Sequence, residues 1–209
     1  MARMSGYFRE ELLGATPRLQ RGAETDREML DRLRLALKAG EYFEVSTVNY
    51  RSDGTPYPVE WHISPVRNET GVITHFVSVQ HDITRAFEDL KQIRLLSSAL
   101  EMSSDSVFIT DASGNIEYVN RAFEHYTGYD RHRVIGQNPR VLKSGQHSPQ
   151  FYRNMWETLI RGEIFRDTFI DQGRDGQSLY MEQTITPIKG EQGDIIRYVA
   201  VGKDITRRV

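Results

Sequence analysis

The sequence predicts an α+β chain in which one domain is written twice. Three observations carry that expectation. Residues 77–85, VSVQHDITR, return as VAVGKDITR at 199–207. A constant offset relates the two halves, and the apolar period changes along the second half from helix-like to strand-like.

The offset is 122 residues, from Asp53-Gly54 to Asp175-Gly176. It links Gly6-Tyr7 to Gly128-Tyr129, Gly14 to Gly136, and Pro17-Arg18 to Pro139-Arg140. It also links Gly40 to Gly162, Pro65 to Pro187, and Gly71 to Gly193. It closes on Asp82-Ile83-Thr84-Arg85 against Asp204-Ile205-Thr206-Arg207. Chance matches drift in register, and these do not. Two copies are too few for a solenoid, so the chain reads as two similar domains in tandem.

The second copy is legible in order. SVFIT (106–110) alternates around Val107 and Ile109, and IEYVN (116–120) follows across the turn DASGN, which makes a hairpin. RAFEHYTGY and DRHRVIG are short helical pieces stopped by Gly128 and Gly136. From Ser148 to Ile160, the residues Phe151, Met155, Trp156 and Leu159 share one helical face. Ser148 is the N-cap, Pro149 opens the first turn, and Gly162 lies just past the end. The strands FRDTFIDQ and SLYMEQTITPI meet at GRDG, and DIIRYVAVGKDI follows the turn EQGD.

The first copy starts late. Met1 aligns with Phe123, so nothing in it corresponds to the hairpin of 106–120. Without that hairpin the sheet keeps an unpaired edge. The expectation is that the natural chain extends upstream, or that a second chain supplies the element. The expected domains are 1–85, a helical linker at 86–102, and 103–209. In the linker, Ala86, Leu90, Ile93, Ser97 and Leu100 keep the four-three spacing of a coiled-coil seam. A helix packed against its own domain gives the same pattern, and both readings stand.

Composition narrows the function. The chain has 209 residues, 38% hydrophobic and 27% charged, with net charge −2, so no global basic field argues for nucleic acid. No apolar run is long enough to span a membrane and no secretory leader opens the chain, so a cytoplasmic location is expected. Cysteine is absent, which excludes thiolate chemistry within this chain. No phosphate loop, serine elbow or paired catalytic carboxylate is present, so no catalytic residue is assigned and no enzyme is expected. His75 and His81 share a face of one strand without an evident partner, and no metal site is expected. His147, just before a helix, is the candidate should a haem be bound.

YVNRAFEHYTGY…VIGQNP, DG between two strands, TITPI and VAVGKDIT resemble a PAS domain of the bacterial sensory type. RMSGYFREELLG, YRSDGTPY, HISPV and VSVQHDIT resemble it in the first copy. The resemblance implies two PAS folds in tandem, each a five-stranded antiparallel sheet with helices on one face, the first lacking its N-terminal hairpin. It implies a sensory relay that perceives a small ligand, redox state or light and acts on an output domain. That domain would be of the histidine kinase or diguanylate cyclase/phosphodiesterase type, in a homodimer. A ligand-free dimerisation scaffold and a flavin-dependent photoreceptor or enzyme are the alternatives. At each Asp-Ile-Thr, the threonine is expected to cap the exit helix and the aspartate to hold the strand end.

Within that family the first copy resembles the flavin-binding LOV subgroup, in GATPRLQRGAETD, VNYRSDG and VSVQHD. The resemblance implies FAD or FMN in the first domain. Asn49 and Gln80 would meet the polar edge of the ring, and Arg18 with Gln20 or Arg21 would meet the phosphate. Pro17 stands where that group carries its cysteine, and Val59 where it carries a second asparagine. The second copy replaces Asn49 by Asp171 and Gln80 by Gly202. Its expected pocket residues are Trp156, Phe165 and Tyr180, with Phe123, Tyr126 and Phe169; either these aromatics fill it, or, since PRVLKSG resembles sensory PAS domains of which some bind flavin, it holds a ligand.

Overall fold

The computed structural model describes residues 2–206. Met1 and residues 207–209, including the Arg207 that closes the second repeat, lie outside the described residues. The chain divides into two compact units, Met1–Ile93 and Arg94–Val209.

In the first unit two short helices, α1 (Ala2–Ser5) and α2 (Arg9–Leu12), precede a 3-10 turn at Pro17–Gln20. Helix α3 (Arg27–Ala39) starts where Asp26 Oδ1 accepts from Glu28 N and Met29 N, and it stops at Gly40, whose φ is 67°. Its Met29, Leu30 and Leu33 are buried against Tyr57, Val59, Trp61 and Ile63. Those four alternate along β2 (Pro56–Arg67), which lies between β1 (Phe43–Tyr50) and β3 (Ile73–Asp82). Both pairings are antiparallel, with Asn49 opposite Tyr57, Trp61 opposite Gln80, and Glu60 opposite His81. Among the described residues β3 has one strand neighbour, and its Phe76, Val77 and Val79 are exposed. Among the described residues this strand edge is therefore open.

Helix α4 (Thr84–Met102) contains no buried residue. Its start corrects the expected role of the threonine. Asp82 Oδ1 accepts from Thr84 N at 2.9 Å, so the aspartate caps and the threonine opens the helix. Its far end is tied down by polar bonds. Asn120 Nδ2 donates to Leu100 O, and Glu101 accepts from Arg131 and from the Tyr118 hydroxyl.

The second unit holds β4 (Ser106–Asp111), β5 (Ile116–Val119), α5 (Arg121–Thr127), α6 (Arg131–Val134) and a 3-10 turn at Pro139–Leu142. Then come α7 (Pro149–Ile160), β6 (Phe165–Gln172), β7 (Ser178–Lys189) and β8 (Ile195–Asp204). The sheet order is β5-β4-β8-β7-β6, antiparallel throughout. Fully buried Asn120 joins the hairpin to α5, since its Oδ1 accepts from Val107 N and Phe123 N. Helix α7 buries Met155 and Leu159 against Phe165, Phe169, Met181 and Ile185 of the sheet.

Candidate functional site

Between α7 and the inner face of the second sheet lies a cavity of about 460 Å³, within the range of small-molecule sites. Phe108, Trp156, Leu159 and Phe169 supply apolar walls, and Trp156 stands edge-on to Tyr198 with ring centroids 5.6 Å apart. Asp171 and Gln183 project into it from β6 and β7. Gln183 is 5% exposed and makes no side-chain hydrogen bond among the described residues. Burial pushes the Asp171 carboxyl up to about 7, so it holds its proton far above the usual carboxylate range. Exposed Arg140 and Lys143 border the cavity. Asn138 fixes that border by donating to Gly114 O at 2.9 Å and accepting from Arg140 N at 3.1 Å.

Gly202 matters here for what it lacks. A Cβ added to it would lie 3.2 Å from Met181 Cε and 3.8 Å from Gln183 Oε1. The glycine therefore leaves room beside the Gln183 amide, at the position that Gln80 occupies in the first copy.

Several expected pocket residues lie elsewhere. Trp156 and Phe169 line the cavity. Phe165 packs in the core, and Phe123 belongs to a separate core with Ile116 and Leu142. The Tyr126 hydroxyl donates to Ser104 O at 3.1 Å. Tyr180 alternates with buried Leu179 and Met181, so it points to the opposite face of β7. The aromatics therefore leave the pocket open rather than filling it. His147 stacks on Phe151, and its Nε2 accepts from Ile170 N at 2.7 Å. That nitrogen is committed to the backbone, which removes it as an axial ligand for haem.

In the first unit the candidate residues come together differently. Asn49 Nδ2 donates to Gln20 Oε1 at 2.8 Å, and both side chains are buried. Gln80 Oε1, Gln20 Nε2, Trp61 Nε1 and the Tyr57 hydroxyl are buried without a partner among the described residues. Three of these side chains come from the inner face of one sheet, where Asn49 faces Tyr57 and Trp61 faces Gln80. Buried polar atoms are nearly always paired, so such a group fits a ligand that brings its own donors and acceptors. Arg18 is exposed. Arg21 has a buried Nε, and burial, then the nearby charges of Arg18 and Arg34, lower its pKa.

Sequence reasoning missed Gln183. The signal was available: the inward set of β7 reads Leu179, Met181, Gln183, Ile185, with one polar member.

A family model described as the PAS domain matches residues 1–85 and 104–207. The Nitrogen fixation regulatory protein of Klebsiella pneumoniae is 38% identical over 112 residues, covering 54% of this chain and 23% of that protein. The Blue-light-activated histidine kinase of Brucella anthropi is 30% identical over 221 residues, covering 98% and 44%. Biofilm dispersion protein BdlA of Pseudomonas aeruginosa is 27% identical over 206 residues, covering 98% and 49%. The chain thus spans about half or less of the length of these curated relatives. Among solved structures, that of an RNA-binding Light-Oxygen-Voltage receptor matches with a TM-score of 0.52 at 12% identity, covering 88% of this chain and 85% of the other. At that identity the match speaks for the fold alone.

Proposed function

This chain belongs to the PAS domain family, and from that premise we propose that it is the sensing part of a signalling protein, with a flavin-class heteroaromatic ligand held in the second unit. The observation that carries the reading is the open cavity with Gln183 and Asp171 aimed into it. Aromatic walls take up a planar ring. Gln183 offers both a carbonyl and an NH₂, and a protonated Asp171 adds a donor to its acceptor. The guanidinium of Arg140 and ammonium of Lys143 suit an anionic tail at the mouth. A flavin ring, when bound, supplies redox chemistry and blue-light absorption. Without a cysteine in the chain, no cysteinyl adduct forms on it here.

The first unit supports a second reading, FAD or FMN on its inner sheet face, carried by the unpaired atoms of Gln20, Trp61 and Gln80. In either unit the route outward is the last strand, whose end is bound to an Asp-Ile-Thr cap. The work is perception and relay in the cytoplasm, not catalysis. The output domain is of the histidine kinase or diguanylate cyclase/phosphodiesterase type, and the working form is a homodimer. No described helix is long and apolar enough to cross a membrane.

An absorbance spectrum of the purified chain tests this, with parallel spectra of Gln183→Leu and Gln80→Leu. Structured blue and near-UV bands lost in Gln183→Leu support the second-unit site. Bands lost in Gln80→Leu move the ligand to the first unit. A bare protein spectrum overturns the flavin reading.

A further inference from the structure

On the outer face of the first sheet, opposite the ligand-facing side, three side chains converge. Glu60 and His62 alternate along β2, and His81 stands opposite Glu60 on β3. One ligand atom from each lies within 4.8 Å of the others. The partners of His81 thus come from the neighbouring strand.

We propose that Glu60, His62 and His81 form a binding site for a divalent transition cation of the zinc class. The ligand set is two imidazoles and one carboxylate, which leaves a fourth tetrahedral position open. Glu60 Oε2 stands 3.3 Å from His62 Nε2, close to the ~3.4 Å edge of a tetrahedron with ~2.1 Å bonds. His81 Nδ1 is 4.0 Å from the same oxygen, and its exposed ring is free to close the gap.

A second observation points the same way. The Tyr42 hydroxyl donates to Glu44 Oε2 at 2.8 Å and lies 2.7 Å from His62 Nδ1. With its proton given to Glu44, the hydroxyl oxygen accepts from His62 Nδ1–H. That bond favours the tautomer whose Nε2 lone pair is available to a metal beside Glu60, the arrangement expected behind a metal-bound histidine.

The fold does not demand these residues. At the matching positions the second copy carries Glu182, Thr184 and Lys203, and Glu182 is paired with Arg166 at 2.9 Å. The change from Gln-His to Gly-Lys between the copies therefore removes one group from each face of the strand: Gln80 from the inside, His81 from the outside. A cation here crosslinks β2 to β3 one residue before Asp82, which caps α4. Metal would stiffen the junction through which the first unit reaches its exit helix.

The test is Zn²⁺ titration of the full chain against a chromophoric chelator, with His62→Gln, His81→Gln, Tyr42→Phe and His75→Gln beside it. One Zn²⁺ per chain is expected, unaffected by His75→Gln. Tyr42→Phe should weaken binding about 10-fold, and loss of either ligand should weaken it further. Co²⁺ should give the intense visible bands of a four-coordinate site in the parent and not in His81→Gln. Zn²⁺ should raise the thermal midpoint of the parent and of His75→Gln alike, and not that of His62→Gln or His81→Gln, and metal-free midpoints establish that the variants fold. No binding, or binding that survives both His62→Gln and His81→Gln, overturns the site.

Discussion

Arg51 donates from Nη2 to Asp82 Oδ2 at 2.8 Å, joining the β1–β2 turn to the end of β3. The same arginine donates to Met4 O and lies over the Tyr57 ring at 4.3 Å. Asp82 uses its other oxygen to cap α4. One carboxylate thus connects the sheet, the N-terminal segment and the exit helix. The second copy has the aspartate, Asp204, and its bond from the Thr206 N–H, but Gly173 where Arg51 would stand.

Asp82→Ala should therefore cost more than Asp204→Ala. Loss of a cap costs about 1 kcal/mol, and only Asp82 both precedes a described helix and strands an arginine when removed. Burial raises the Asp82 pKa, but the Thr84 and Arg51 bonds outweigh it and hold the carboxyl below its usual value. A depressed carboxyl stabilises the fold fully above the unfolded value of 3.8, and that contribution is lost as pH falls through the folded value. Urea midpoints from pH 7 down to 2.5 check this: Asp82→Ala should flatten the acid limb of the first unit's transition. Equal limbs in parent and variant would remove Asp82 from the account.

Asp171 has the opposite sign. Its carboxyl is raised from 3.8 to about 7 by burial alone. Its stabilising contribution is complete below pH 3.8, and it is lost as pH rises to about 7 and the buried group ionises. At most this amounts to about 4 kcal/mol, taking 1.36 kcal/mol per pK unit. Asp171→Asn keeps the shape and removes the charge, so the second unit should become more stable at pH 8 and unchanged at pH 4. Denaturant midpoints at the two pH values decide it. A variant no more stable than the parent at pH 8 shows a carboxylate already ionised and solvated.

Much of the fold was legible because it rests on local signals. The offset of 122 residues and the Ser148 cap needed no tertiary information. The site was harder, for reasons visible at particular residues. Tyr180 has the aromatic type of a pocket residue but not the parity of Leu179 and Met181, so type alone assigns it to the wrong face. Gln183 has the inward parity without the aromatic type, so only parity finds it. Glu60 and His62 could not be joined to His81 without the pairing register, which the sequence does not state. Asn49 and Gln80 were identified by resemblance, but their neighbours Trp61 and Tyr57 emerged only from cross-strand pairing.

Gly202→Gln gives the second copy the side chain of the first. The added Cβ meets the flexible end of Met181 at 3.2 Å, so the backbone need not move. The new amide should occupy the space beside Gln183 and exclude the ligand while leaving the thermal midpoint of the ligand-free protein within about 1 kcal/mol of the parent. Differential scanning with and without added FMN measures both. A variant that still gains stability from FMN as the parent does would take the space beside Gln183 out of the binding site.

The linker helix carries the last prediction. Leu90, Ile93 and Leu100 of the four-three seam are exposed, Ile93 at 63%, with Phe87 and Leu96 exposed beside them. Isolated helices of this length are marginal in water, and an uncovered apolar seam gains little from its own units. A second copy of α4 laid along the seam would bury it with coiled-coil spacing. The chain should therefore sediment as a dimer at micromolar concentration. Ile93→Glu should shift it to a monomer while leaving the near-UV circular dichroism of both units intact. A parent chain that is monomeric at those concentrations would remove α4 as a dimer seam and leave it as an exposed connector.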